Sequence, residues 1–156
     1  MKESHVRCSA YAFVRLLAVA LVLSTATVGC MNKLSANLTP GTRLPTAARY
    51  HVLTNADDDN RIDQLIMQRL VAMNFKATAG ARETMPADTD VVVTYRDKWM
   101  WDITMYMIRL TIQIRDGKSR AILASAESYR PSLERKSPEG MAEEVLTEIF
   151  NPKERK

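Results

Sequence analysis

Between residues 49 and 152 the hydrophobic positions follow two periods, and the switches between them mark out the elements. Tyr50-His51-Val52-Leu53 predicts a short first strand. Ile62, Leu65, Ile66, Leu70 and Met73 fall at the three- and four-residue spacing of one buried helix face. Asn55 to Asp59 is expected to open that helix, with carboxylates at the positive end of its dipole. Phe75–Ala79 reads as a short strand. Asp90-Val91-Val92-Val93-Thr94-Tyr95 is β-branched and nearly continuous, the pattern of an interior strand. Tyr106, Ile108, Leu110, Ile112 and Ile114 then alternate with Met107, Arg109, Thr111, Gln113 and Arg115, which predicts one apolar and one mostly polar face. Asp116-Gly117 is a two-residue hairpin signal, with Arg120–Tyr129 as the returning strand. Ser137 and Pro138 fit the cap and first turn of a second helix, whose apolar face is Met141, Ala142, Val145, Leu146, Ile149 and Phe150. The expected fold is α+β: a two-layer sandwich, a mainly antiparallel sheet with two amphipathic helices on one face. The domain spans 49–152, and 153–156 are expected to fray.

Upstream of the domain the pattern changes twice. Residues 31–48 carry Pro40 and Pro45, scattered polar residues and no period, so 30–48 reads as a flexible tether. Its reach as a free chain is on the order of 23 Å. Residues 1–29 run from a basic region (Lys2, Arg7, Arg15) through Leu16–Leu23 to the small-residue exit Ser24–Gly29. That order is the order of a secretory signal. The uncharged run after Arg15 is about 14 residues, short of the roughly 20 that span a bilayer.

The exit Val28-Gly29-Cys30 resembles the lipobox of bacterial lipoproteins, although Thr27 stands where that family usually has Leu. The resemblance implies cleavage after Gly29, a diacylglyceryl thioether on Cys30 and a further acyl chain, a palmitate-type modification that holds a protein stably at a membrane. Met31 after the cysteine resembles the sorting pattern for the outer rather than the inner membrane. A second resemblance rests on Ala87–Val93, Asp116-Gly117 and the closing Phe150-Asn151-Pro152. Residues 48–152 are similar to the uncharacterised envelope lipoproteins of the DUF4136 type, although Ile122-Leu123 replaces their usual Trp. That family implies a small α+β fold and no known activity.

Charge narrows the partners. The chain has 22 basic and 18 acidic residues; losing Lys2, Arg7, Arg15 and Glu3 with the leader leaves 19 and 17, too balanced for a nucleic-acid footprint. Of the two cysteines, Cys8 leaves with the leader, so Cys30 has no partner for an internal disulfide and no cysteine metal cluster can form. Asp57-Asp58-Asp59-Asn60 lacks the glycine and distal glutamate of a calcium loop and reads as helix-start electrostatics. His51 lies in a strand with no recognisable triad, and Ser119, Ser125 and Ser128 have no nucleophile-elbow context. No catalytic residue, metal or cofactor other than covalent lipid is assigned.

Trp99 to Met107 is the unusual segment, holding both tryptophans and three of the nine methionines. If a strand ran unbroken from Trp99 to Arg115, then Trp99, Trp101, Ile103, Met105 and Met107 would form an apolar patch on the side of Arg109, away from the helices. One extra residue near Asp102–Thr104 would instead swing the tryptophans to the core side. A thioether Cu(I) site needs three converging sulfurs, and alternation sets Met100 opposite Met105 and Met107. The expected function is a membrane-anchored, periplasm-facing envelope lipoprotein, a non-catalytic binding or structural module with a possible envelope protein partner. The alternatives are a carrier of an apolar ligand or lipid, and a hydrolytic enzyme with an unrecognised site. A concave apolar pocket would favour the carrier, and a His51–carboxylate–hydroxyl cluster the enzyme.

Overall fold

The computed structural model describes residues 32–151. Residues 1–29, expected to be a signal segment, Cys30, expected to carry lipid, and the 153–156 tail, expected to fray, lie outside the described residues. The fold is α+β, with one mixed six-stranded sheet and two helices.

The strands are β1 (Lys33–Leu38), β2 (Arg49–Leu53), β3 (Lys76–Gly80), β4 (Val91–Asp102), β5 (Thr104–Asp116) and β6 (Ile122–Tyr129). The helices are α1 (Ile62–Ala72) and α2 (Pro138–Phe150). Across the sheet the order is β1-β6-β5-β4-β2-β3. The first three pairings are antiparallel, and those of β2 with β4 and with β3 are parallel. Val91–Val93 lie between β2 and β5, which explains their continuous apolar run.

Three boundaries differ from the sequence reading. Lys33–Leu38, expected to be flexible tether, pairs with β6 as an edge strand, and only Ala36 of its side chains is buried. An edge strand of polar residues has too weak an alternation to stand out. The first helix begins at Ile62, not in the acidic run. Asp58 accepts from the amides of Asn60, Ile62 (2.7 Å) and Asp63, so its carboxylate caps α1 from outside, across the left-handed turn at Arg61. The β5–β6 connection is longer than two residues: Asp116 Oδ1 accepts from the amides of Lys118 and Ser119, and the positive φ falls at Arg120. Gly117 is required for a different reason, because a Cβ there would meet the Asp90 and Thr89 carbonyl oxygens at 2.7 Å.

The second helix follows its sequence signature, with Ser137 Oγ accepting from the Gly140 amide at 3.2 Å and Pro138 at the first turn. One cluster holds the core. Tyr50, Val52, Val91, Val93, Tyr95, Leu110, Ile112, Ile114, Ala124 and Ala126 from the strands meet Ile62, Ile66 and Leu70 of α1 and Met141, Val145, Leu146 and Ile149 of α2. Burial holds the Tyr50 hydroxyl, which donates to the Pro45 carbonyl, up to about 12. No helix among the described residues is long and apolar enough to cross a membrane.

Candidate functional site

The Trp–Met segment folds as the tip of the β4–β5 hairpin. The chain reverses at Ile103, so both tryptophans belong to β4 and the methionines Met105 and Met107 to β5. Lys98 pairs with Arg109 but Trp99 pairs with Met107, which leaves Ile108 as an extra residue on β5. This bulge exchanges the faces of β5. Below it Leu110, Ile112 and Ile114 point into the core; above it Met107 does. The unbroken strand is therefore corrected. Trp99 and Trp101 share the face of Val93 and Tyr95, not that of Arg109. Tyr106 and Ile108, expected in the core row, are buried outside the core cluster.

The five residues divide in two. Met107 is 1% exposed and Trp99 packs partly buried against the core, its Nε1 donating to Asp97 Oδ2. Trp101, Ile103 and Met105 are 71%, 87% and 60% exposed and lie outside the core cluster, which Trp99 and Met107 still join. Ile103 has φ 63°, a left-handed conformation that costs a β-branched residue on the order of 1–2 kcal/mol. Gly or Asn would turn the chain there more cheaply. An isoleucine this exposed buries little of its side chain against the fold, and it is the β-branched residue among the positive-φ positions of the described residues.

Arg135, absent from the sequence reading, fastens the tip. Its guanidinium lies 4.2 Å from the Tyr106 ring centroid and donates to Thr104 Oγ1 (2.7 Å), the Asp102 carbonyl (2.8 Å) and Asp102 Oδ2 (3.0 Å). The neighbouring Glu134 accepts from the Asn32 side chain and pairs with Arg130, which in turn pairs with Glu144 of α2. These contacts bring the start of the domain, two residues after Cys30, to the same end of the molecule as the tip. Arg135 sits in an ordinary charged run, and nothing local in the sequence signals its reach across 33 positions.

The other candidates have structural partners. His51 is buried. Its Nε2 faces the Gly80 carbonyl at 3.2 Å and its Nδ1 the Thr78 hydroxyl at 2.8 Å, with no carboxylate among its hydrogen-bond partners. Ser128 Oγ donates to Glu144, and Ser119 Oγ to Asp116. Burial opposes the charge of Asp58, but the Tyr95 hydroxyl (2.5 Å) and the capped amides outweigh it and hold the carboxyl below the usual carboxylate range. Burial and this same carboxylate push the Tyr95 hydroxyl up. Met100 pairs with Tyr106, opposite the face of Met105 and Met107, so the three thioethers do not converge.

Two concavities stand out among the described residues. A trough of about 1010 Å³ runs along the sheet face opposite the core, lined by Thr94, Arg96, Lys98, Arg109, Thr111, Gln113 and Arg115 and walled by Asn55–Asp57 and Arg82. A cleft of about 480 Å³ beside β3 is lined by Tyr50, Val71, Phe75 and Pro86 together with Arg49, Lys76 and Asp88.

No protein-family model matches the chain, and no curated protein matches it. Solved structures do. The PelC dodecamer from Paraburkholderia phytofirmans is similar with a TM-score of 0.56 at 15% identity, over 81% of this chain and 100% of that one. A second crystal form, of a point variant of PelC, gives the same score and identity over 78% and 96%. A PDZ domain protein from Parabacteroides distasonis has a TM-score of 0.50 at 10% identity, over 81% of this chain but 37% of its own length. At these identities the likeness establishes a shared fold.

Proposed function

We propose that this protein is an envelope lipoprotein, held by lipid on Cys30 at the periplasmic side of the outer membrane, and that it is a non-catalytic module whose hairpin tip holds an envelope protein close to the membrane. The domain is a two-layer sandwich in this reading, with both amphipathic helices on one face and the sheet free on the other. The observation that carries the proposal is Ile103, exposed at 87% on a strained turn between exposed Trp101 and Met105. Apolar side chains that cost the fold stability are retained where a partner covers them. The rigid Arg135 clamp supports it, because a preorganised surface loses less entropy on docking.

A second reading has a specific observation behind it. PelC is described as a dodecamer, and its fold resembles this one, so the partner at the tip can be another copy of this chain.

The test places a photo-reactive side chain at Ile103 and, as a control, at the half-exposed Val71 of α1. Irradiated cells should give one defined adduct from position 103, recovered with the membranes, and none from 71. An adduct of twice the chain mass selects self-assembly. Equal labelling from both positions, or none from 103, overturns the docking role. Cys30→Ser should release the domain into the soluble envelope fraction or leave an uncleaved precursor; unchanged processing together with unchanged membrane retention overturns the anchor.

A further inference from the structure

The sheet face opposite the core is left polar by the register. On it Val92 pairs with Arg115, Thr94 with Gln113, Arg96 with Thr111 and Lys98 with Arg109. Two ranks of side chains thus run side by side, with cations at both ends and hydroxyl and amide groups between. Arg96 and Arg115 are four residue positions apart along the sheet, a span of about 13 Å. Arg82 and Arg120 add charge at the rim.

Most of these cations are unspent. Arg82, Arg96, Lys98, Arg115 and Arg120 make no ion pair among the described residues, and Arg109 reaches Glu127 only at 3.8 Å. The carboxylates of the lining are few. Asp97 is engaged by Trp99 and Glu127 accepts from Thr111, leaving Asp57 at the wall. Six cations against three carboxylates in one concave surface repel each other unless an anion shares the space. Arg115 is already oriented for that role, held by Gln113 Oε1 at 2.6 Å and the Arg120 carbonyl at 3.2 Å.

We infer that this trough binds a segment of an acidic polysaccharide, its carboxylates on the arginines and its hydroxyl groups on Thr94, Thr111 and Gln113. Charge complementarity selects an anion. The interspersed hydroxyl and amide groups select a chain with neutral polar positions between its charges. The carboxylates Asp57 and Glu127 stand against a polymer of uninterrupted phosphates. A nucleic acid would need exposed aromatic rings for its bases, and the one aromatic residue of the lining, Tyr95, is buried with its hydroxyl spent on Asp58. The trough faces away from the core and does not include the hairpin tip, so the inference stands whether or not the tip docks a protein.

The experiment is titration calorimetry of the soluble Cys30→Ser protein with an oligogalacturonate, a neutral glucan oligomer of equal length and a polyphosphate. The oligogalacturonate should bind, and more weakly as salt rises. The glucan should not bind, and the polyphosphate should bind more weakly than the uronate. Arg96→Gln and Arg115→Gln should each weaken binding about tenfold, the loss of one charge-assisted contact. Lys76→Gln, outside the trough, should leave it unchanged. Arg96 is exposed, so its variant keeps the wild-type melting temperature and separates lost binding from lost folding. No uronate binding, tighter polyphosphate binding, or equal binding by the Arg96 variant overturns the inference.

Discussion

The base and the tip of the β4–β5 hairpin have similar apolar content and opposite fates. At the base, Val91, Val93, Leu110, Ile112 and Ile114 are all 1% exposed or less, because they share one core cluster with side chains of α1 and α2. At the tip, Trp101, Ile103 and Met105 stand in solvent on a hairpin that outruns its cover. The bulge at Ile108 divides the two and keeps Trp99 and Met107 as the last residues of the core. Apolar residues in a strand therefore mark burial only where another element reaches them. Where none does, and where the backbone is strained as well, they report a surface under a different constraint.

Stability measurements break this comparison most directly. Leu110→Ala at the base should cost about 2–5 kcal/mol, as should Leu70→Ala in α1. Met105→Ala at the tip should change stability by less than about 0.5 kcal/mol. Chemical denaturation of the three variants checks this; a large loss at Met105 would make the tip part of the core.

Asp58 sharpens the comparison by showing how the base is fastened, since its carboxylate ties α1 to Tyr95 of β4. Asp58→Asn should cost about 1–2 kcal/mol at neutral pH, the value of a half-exposed charge-assisted cap. The folded carboxyl sits below its ordinary value of about 4, so its contribution is present above that pH and is lost as pH falls through the folded value. The gap between variant and wild type should accordingly close in acid. A gap independent of pH would mean the carboxylate is not the cap.

The smallest effect has the opposite sign. Ile103→Gly relieves the left-handed strain and should raise stability by up to about 1 kcal/mol while weakening membrane-side docking. Loss of stability in this variant would show that Ile103 serves the fold.

Much of the fold was legible because local pattern and tertiary role agree. Ser137-Pro138 starts α2 as its chemistry requires, Ile62, Ile66 and Leu70 of the first stripe are buried with Leu65 partly so, and the continuous valines are interior. The misreadings share a cause. Asp57–Asp59 looks like a helix start, but Asp58 caps from across a left-handed turn, which spacing cannot reveal. Lys33–Leu38 pairs through its backbone, to which side-chain alternation is blind. In the candidate site the residue types were visible and the geometry was not. A one-residue bulge reverses every face beyond it, and Ile108 carries no signal that it is the extra residue. Arg135 and the cationic trough depend on partners dozens of positions away.

One measurement tests most directly whether the tip is a docking surface attached to a folded base. Trp99→Phe leaves Trp101 as the single tryptophan, and acrylamide quenching of its selectively excited emission reports its access to water. In the soluble Cys30→Ser background Trp101 should be quenched freely, as its 71% exposure requires. In lipidated protein within native membrane vesicles opened to the quencher it should be shielded several-fold. Shielding in both states would put Trp101 in the core, and equal quenching in both would leave the tip with nothing to hold.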